Sequence, residues 1–301
     1  MNKNNTSRRT TLSALGAVSL LVSGLPSLAS AACSANFSDY QVEVFSSTSG
    51  LAINPQTTVY PPNSAAGYNF KVLGGGAFVE TVSGSAFLTG SFPDIDSSGP
   101  VGWIAESKGL GSGVQARVTA FVVAVNDPNN CWDVKAFQNA TSTAVAHPTT
   151  SVSVGAGYVL TGGHGNFLFS SIPSNGGSGA YNAWSVHSKD HAVTDLANIT
   201  AYAIGIKPAA SGVNAPTLTV APSRPSSPSN NPAAQSNGTA TTQPGMNCTL
   251  TGGGANDDWG NGFGNLLSAI YPAGTGGWQA VGGWYASENA AVMTAYALCL
   301  N

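Results

Sequence analysis

Val118, Ala120, Val122 and Ala124 alternate with Thr119, Phe121, Val123 and Val125. One side of that stretch is small and the other bulky, the period of two that an extended strand imposes. The scheme returns in Ile199, Ala201, Ala203 and Gly205 set against Thr200, Tyr202, Ile204 and Ile206. Both sides are apolar, so the pattern predicts a β-strand covered on both faces and central to its unit. Thr294-Ala295-Tyr296 matches Thr119-Ala120-Phe121 and Thr200-Ala201-Tyr202, so the chain contains this closing strand three times.

The copies extend well beyond the closing strand. Val72-Leu73-Gly74-Gly75-Gly76, Leu160-Thr161-Gly162-Gly163-His164 and Leu250-Thr251-Gly252-Gly253-Gly254 align, with Gly75, Gly163 and Gly253 recurring at intervals of 88 and 90 residues. Each is followed by an apolar-Pro step (Phe92-Pro93, Ile172-Pro173, Tyr271-Pro272) and a tryptophan (Trp103, Trp184, Trp278) that precedes the closing Thr by 16 residues in all three. A fixed interval beside variable ones marks a hairpin of set register, with insertions confined to other loops. Upstream, Pro55-Gln56-Thr57-Thr58-Val59, Pro148-Thr149-Thr150-Ser151-Val152 and Pro216-Thr217-Leu218-Thr219-Val220 are read as corresponding segments. The units fall near 34–126, 127–207 and 208–301, with a Pro/Ser-rich stretch at 221–245 read as a flexible insertion in the third.

The expected fold is all-β: three diverged repeats of about 90 residues, arranged either as a pseudo-threefold, β-prism-like body or as tandem β-sandwiches. The unit, Leu-Thr-Gly-Gly-Gly, then Trp, then Thr-Ala-Tyr-Ala-Leu-Cys, resembles one found in secreted bacterial proteins of unassigned function. That resemblance implies an extracellular β module and brings no catalytic residues with it.

Composition narrows the setting. Lys3, Arg8 and Arg9 precede an apolar stretch from Leu12 to Val22 and a small-residue site, Ala29-Ser30-Ala31, so residues 1–31 are read as an export signal. Ser7-Arg8-Arg9 resembles a twin-arginine start, but Thr11 stands where that pattern wants a large apolar residue, which favours the general secretory route. Ser30 stands where a lipobox ahead of Cys33 would carry a branched aliphatic, which argues against a lipid anchor. The expected location is therefore secreted or periplasmic, with no transmembrane segment. Beyond the signal, seven Lys and Arg face 13 Asp and Glu. That surface cannot assemble the basic patch that phosphate backbones require, so nucleic acid is excluded as a partner.

Four cysteines in an oxidising compartment predict two disulfides. Phe70, Tyr158 and Cys248 are equivalent in the repeat, and so are Ala124, Gly205 and Cys299. If the opening and closing strands of each unit pair, two copies set a large residue against a small one and the third sets cysteine against cysteine. The predicted bridges are Cys248–Cys299 and Cys33–Cys131.

Residues common to all copies read as scaffold, and polar residues confined to one copy as candidates for function. All four histidines fall in the second repeat, where His164, His187, Asp190 and His191 form a candidate zinc or other divalent-metal set. The alternative is a polar turn with exposed histidines. Asp94-Ile95-Asp96-Ser97-Ser98-Gly99 imitates the opening of a calcium loop but lacks the twelfth-position carboxylate, so a solvated turn is the plainer reading. In the third repeat Asp257, Asp258, Trp259 and Asn261 lie among glycines, and Trp284 and Tyr285 have no counterparts in the sister copies. Aromatic rings and amides on a glycine-rich loop suit a sugar. The leading expectation is a non-enzymatic module without a cofactor that binds an extracellular glycan or cell surface. Its alternatives are a metal-dependent hydrolase using the second-repeat histidines and a structural protein of a matrix or envelope.

Overall fold

The computed structural model describes residues 32–62, 68–82, 84–141, 143–167, 169–177, 179–189, 196–223, 236–241, 248–258, 265–274, 276–284 and 292–301; 236–241, 258, 265, 283–284 and 292 enter through their backbone alone. It is an all-β structure of three similar units. In the first, the strands are β1 (Val42–Thr48), β2 (Gln56–Val59), β3 (Phe70–Thr81), β4 (Ser85–Asp96), β5 (Gly99–Leu110) and β6 (Ala116–Asn126). The second gives β7 (Trp132–Ala140), β8 (Thr149–Ser153), β9 (Val159–Asn166), β10 (Ser170–Ser174), β11 (Ala183–His187) and β12 (Thr200–Pro208). The third gives β13 (Leu218–Ser223), β14 (Ser236–Thr241), β15 (Thr249–Asp258), β16 (Asn265–Ala273), β17 (Gly277–Trp284) and β18 (Val292–Leu300).

These strands form three antiparallel six-stranded sheets: face A, β1-β6-β3-β16-β17-β14; face B, β2-β5-β4-β9-β12-β7; and face C, β13-β18-β15-β10-β11-β8. Every face takes its first, third and sixth strands from one repeat and its second, fourth and fifth from another. The exchange runs cyclically, which makes the body a three-sided prism and rules out a string of self-contained sandwiches. One apolar core fills it, with Leu73, Trp103, Leu160, Trp184, Leu267, Trp278 and Leu298 all fully buried.

The opening and closing strands of each repeat do pair, as β3 with β6, β9 with β12 and β15 with β18. All three ladders carry a register shift beside the glycine run. There the three middle strands converge. A Cβ added at Gly74 would lie 2.6 Å from the Thr251 carbonyl oxygen, one at Gly162 2.7 Å from that of Leu73, and one at Gly252 2.6 Å from that of Thr161. A side chain at any of these positions would push one repeat off its neighbour, and only glycine permits the approach. The second glycines serve a different contact, since a Cβ at Gly75, Gly163 or Gly253 would collide with the ring of Trp103, Trp184 or Trp278 of its own repeat. Thr161 donates its hydroxyl to Leu73 O, and Thr251 to Thr161 O (2.9 Å). The first repeat has Leu73 at that position and leaves this hydroxyl ring open.

Both predicted disulfides are present, Cys33–Cys131 and Cys248–Cys299. They fit an oxidising compartment. No helix among the described residues is long and apolar enough to cross a membrane.

Two sequence assignments need correction. Leu218–Ser223 is not the counterpart of β2 and β8: it pairs with the closing strand β18, as β1 pairs with β6 and β7 with β12. The counterpart is β14, which lies against β17 as β2 lies against β5 and β8 against β11. The stretch 221–245 is accordingly not one insertion, because its beginning belongs to β13 and residues 236–241 form β14. Four of the five prolines that marked the segment as irregular precede Asn237 and the fifth is Pro244, so Ser236-Asn237-Gly238-Thr239-Ala240-Thr241 contains none and nothing there bars a ladder hydrogen bond.

Candidate functional site

The exchanged connectivity creates a seam down the middle of each face, where a strand of one repeat meets a strand of another: β3–β16 on face A, β4–β9 on face B and β10–β15 on face C. The outward residue of the apolar-Pro step and the outward aromatic of the closing strand approach each other across this seam. On face A, Tyr271 stacks on Phe121 with centroids 5.3 Å apart and planes 21° apart, and Phe78 packs beside Tyr271 at 5.7 Å. On face B, Phe92 stacks on Tyr202 at 5.7 Å and 17°. On face C the same positions hold Ile172 and Tyr296.

A groove of about 460 Å³ opens on the face A seam, lined by Phe78, Glu80, Thr81, Ser85, Ser268, Tyr271 and Gln279, with Val79, Phe87 and Leu266 beneath them. Phe78 is exposed, an uncommon position for phenylalanine on a strand whose inner face supplies the core. The Tyr271 hydroxyl donates to Gln279 Oε1 (2.8 Å), which orients the amide so that its NH2 group points away from the ring. Ser268 donates to Val281 O (3.2 Å). The groove thus combines an aromatic wall with hydroxyl and amide groups, and Glu80 is the one carboxylate among the described residues that line it. Such a surface can stack an apolar ring face and hydrogen-bond the hydroxyls around its edge.

Of the third-repeat candidates, Asp257, Asp258 and Trp284 lie among the described residues. Trp284 is the β17 ladder partner of Asn265 on β16, and Leu266 and Val281 of the same two strands line the groove. Asp257 and Asp258 end β15 on face C. The Asp257 side chain is buried and turned toward Gly282, where an added Cβ would come within 2.7 Å of its carboxylate. Trp259, Asn261 and Tyr285 lie outside the described residues.

The second-repeat histidines separate. His164 is fully buried inside the prism, its ring 5.1 Å from Trp184, 5.9 Å from Trp103 and 5.9 Å from Phe167. Ser171 Oγ accepts from Trp184 Nε1 (2.9 Å) and shares a second hydrogen bond with His164 Nδ1 (2.6 Å), and the backbone of Gly75 and Gly253 lies against the imidazole. Burial lowers its pKa to about 3, so the ring is neutral at any ordinary pH. His187, on the outer face at the end of β11, bonds Thr149 (3.1 Å), and burial lowers its pKa as well. It meets the third-repeat set at Phe169: the two rings lie 6.0 Å apart, and the Asp257 N–H donates to Phe169 O (2.9 Å). Asp190 and His191 lie outside the described residues, among which no group of three or more His, Cys, Asp or Glu is placed to hold a metal ion. In the turn that imitates a calcium loop, Asp96 accepts from Ser98 N–H (2.7 Å) and its hydroxyl (2.6 Å), and Asp94 accepts from the Tyr60 hydroxyl (2.7 Å).

The sequence did not single out Phe78, Tyr271 or Gln279. Tyr271 was visible only as one member of the apolar-Pro step, and its relation to Phe78 depends on strand exchange between distant repeats. When the chain is compared with known proteins, no family model matches it and no curated protein shows significant similarity.

Proposed function

We propose that the protein is a secreted, non-enzymatic module that binds a neutral glycan at an extracellular surface. The observation that carries this reading is the face A groove, where exposed Phe78 and the Tyr271 ring stand beside Gln279, Thr81 and Ser268. Stacking on an aromatic ring contributes on the order of 1 kcal/mol beyond the area it buries. A few hydrogen-bonding groups around such a wall set orientation and selectivity. The two disulfides fit a protein that works outside the reducing cytoplasm, and the resemblance to secreted bacterial repeat proteins supports the same setting.

The test is titration of the purified protein with linear neutral oligosaccharides (mannopentaose, maltopentaose, cellopentaose) and with cell-wall fractions. Binding is expected, and Tyr271→Ala or Phe78→Ala should weaken it at this groove by at least about tenfold, equivalent to about 1.4 kcal/mol, with the fold retained. A protein that binds no polysaccharide, wall fraction or cell surface overturns the reading.

A further inference from the structure

We infer that face B carries a second glycan-binding platform, so that one chain holds two such sites on different sides of the prism. The inference rests on the reading of face A and extends it through the threefold relation between the faces. Tyr202 and Phe92 are the face B counterparts of Phe121 and Tyr271, and they form the same stacked pair across the same kind of seam. Face C, with Ile172 in place of the second ring, lacks it. The aromatic pair is thus retained on two faces and absent from one.

The row beside the pair supplies the polar half of a site. Crossing face B, Gln56 stands opposite Glu106, Glu106 opposite Gly90, and Gly90 opposite Asn166. Gly90 places no side chain at the centre of this row, which lets the Phe92 ring and Glu106 Oε2 close over it: an added Cβ would come 2.8 Å from the ring and 3.0 Å from that oxygen. Gln56 donates its amide to Glu106 Oε1 (2.9 Å), so the carboxylate is held against the aromatic platform with Oε2 turned toward the seam. Burial raises the Glu106 pKa, and burial together with Glu106 raises that of Tyr202, as expected for a carboxylate drawn in beside a phenol.

No lysine or arginine stands in this row or in the Tyr202 row beside it. The platform therefore suits a neutral sugar, whose adjacent hydroxyls donate to the carboxylate while one ring face lies on Tyr202 or Phe92. It does not suit a uronate or a sulfated chain. Two sites on separate faces would also let one protein bridge two glycan strands.

The experiment measures the number of oligosaccharides bound per chain by calorimetric titration with the same three pentasaccharides, and precipitation of the parent polysaccharides by full-length protein. Wild type should bind two pentasaccharides and precipitate polysaccharide. Glu106→Gln, a change that removes only the charge, and Tyr202→Ala should each reduce the count to one, as should Tyr271→Ala, and each should abolish precipitation. A count of one in wild type that falls to zero in Tyr271→Ala and is untouched by Glu106→Gln overturns the second platform while leaving face A intact. A count that responds to Glu106→Gln and Tyr202→Ala but not to Tyr271→Ala overturns face A and keeps face B. Binding of polygalacturonate in preference to the neutral probes overturns the assigned ligand class, and no binding of any probe overturns both sites.

Discussion

The axis of the prism and its outer faces are made from the same three repeats, yet they have diverged to very different degrees. At the axis, Gly74, Gly162 and Gly252 meet the backbone of a neighbouring repeat, and Gly75, Gly163 and Gly253 each receive a tryptophan. On the faces, the row beside the seam reads Phe78, Ala269 and Val281 on A; Asn166, Gly90 and Glu106 on B; and Asn256, Ser170 and His187 on C. The difference is physical in origin. A position bounded by backbone on several sides admits one side chain, whereas an outward position in a ladder tolerates any residue that can lie on a pleated surface.

The most severe way to break this contrast is Gly162→Ala. The new methyl would sit 2.7 Å from Leu73 O and 2.9 Å from Gly74 Cα, and both of those atoms are backbone of another repeat. Relief requires moving whole strands, so a loss of more than about 4 kcal/mol or failure to fold is expected, the range reserved for named structural failures. Gly50→Ala is the control: nothing lies within 4 Å of the added Cβ, and denaturant unfolding should place it within about 0.5 kcal/mol of wild type. Equal effects at the two positions would remove the distinction between axis and periphery.

Next in size is the third repeat's disulfide. Where the sister copies set Phe70 against Ala124 and Tyr158 against Gly205, this copy has Cys248–Cys299, closing 51 residues. An added Cβ at Gly205 would lie 2.9 Å from Tyr158 Cβ, so the large-small pair does occupy the position that the cysteines bridge. Replacing both cysteines by alanine should cost about 2–4 kcal/mol, read as a lower denaturation midpoint. A loss below about 0.5 kcal/mol would mean that packing alone holds this corner, as it does in the sister copies.

The axis was the more legible of the two regions in the sequence. Glycines repeated at one place, with a tryptophan downstream that stands 16 residues ahead of the closing threonine in every copy, can be read without coordinates, because a local backbone demand leaves its mark on local residues. The large-small exchange at Tyr158 and Gly205 was enough to pair the cysteines. The faces were less legible for two reasons. Which strand lies beside which across a seam depends on exchange between repeats, and Tyr271 carries no mark showing that its neighbour is Phe78 and not a residue of its own unit. In addition, Pro216–Val220 matched the Pro-Thr pattern of the second strands better than Ser236–Thr241 did, so composition outranked position and β14 was missed. His164, chosen as a metal candidate because it replaced a repeated glycine, lies inside the core for that same reason: it stands on the axis.

His164 also yields a prediction with a sign. Its folded pKa, lowered to about 3 by burial, lies below the value near 6.5 of an unfolded histidine. The unfolded chain therefore binds the extra proton first as pH falls. The contribution of the neutral ring is fully present above pH 6.5 and declines by up to about 1.4 kcal/mol per pH unit toward pH 3. His187, also lowered by burial, acts in the same direction, while Glu106, raised by burial, acts in the opposite one just above its ordinary range. His164→Gly restores the sister residue. It should cost stability at neutral pH through the space it vacates, yet flatten the loss between pH 6.5 and 4. Unfolding curves of equal slope for the two proteins would show that the ring is already protonated in the folded state.

The smallest effect tests the faces directly. Ile172→Tyr gives face C the ring that faces A and B carry, next to Tyr296 at the position where Phe121 and Tyr202 find a partner. Ile172 is partly exposed on the outer side of β10, and its Cα partner in the β11 ladder is Ser185, a small residue that leaves room for a larger side chain. If outward positions tolerate exchange, unfolding free energy should change by no more than about 0.5 kcal/mol in either direction, the gain from an aromatic pair being offset by the rotamer freedom that the new ring loses. Oligosaccharide stoichiometry should stay as in wild type, because the row beside the new pair, Asn256, Ser170 and His187, offers neither the exposed ring that Phe78 gives face A nor the carboxylate that Glu106 gives face B. A loss above about 2 kcal/mol would place Ile172 among the constrained positions, and the divergence of the three faces would then reflect packing and not freedom to bind.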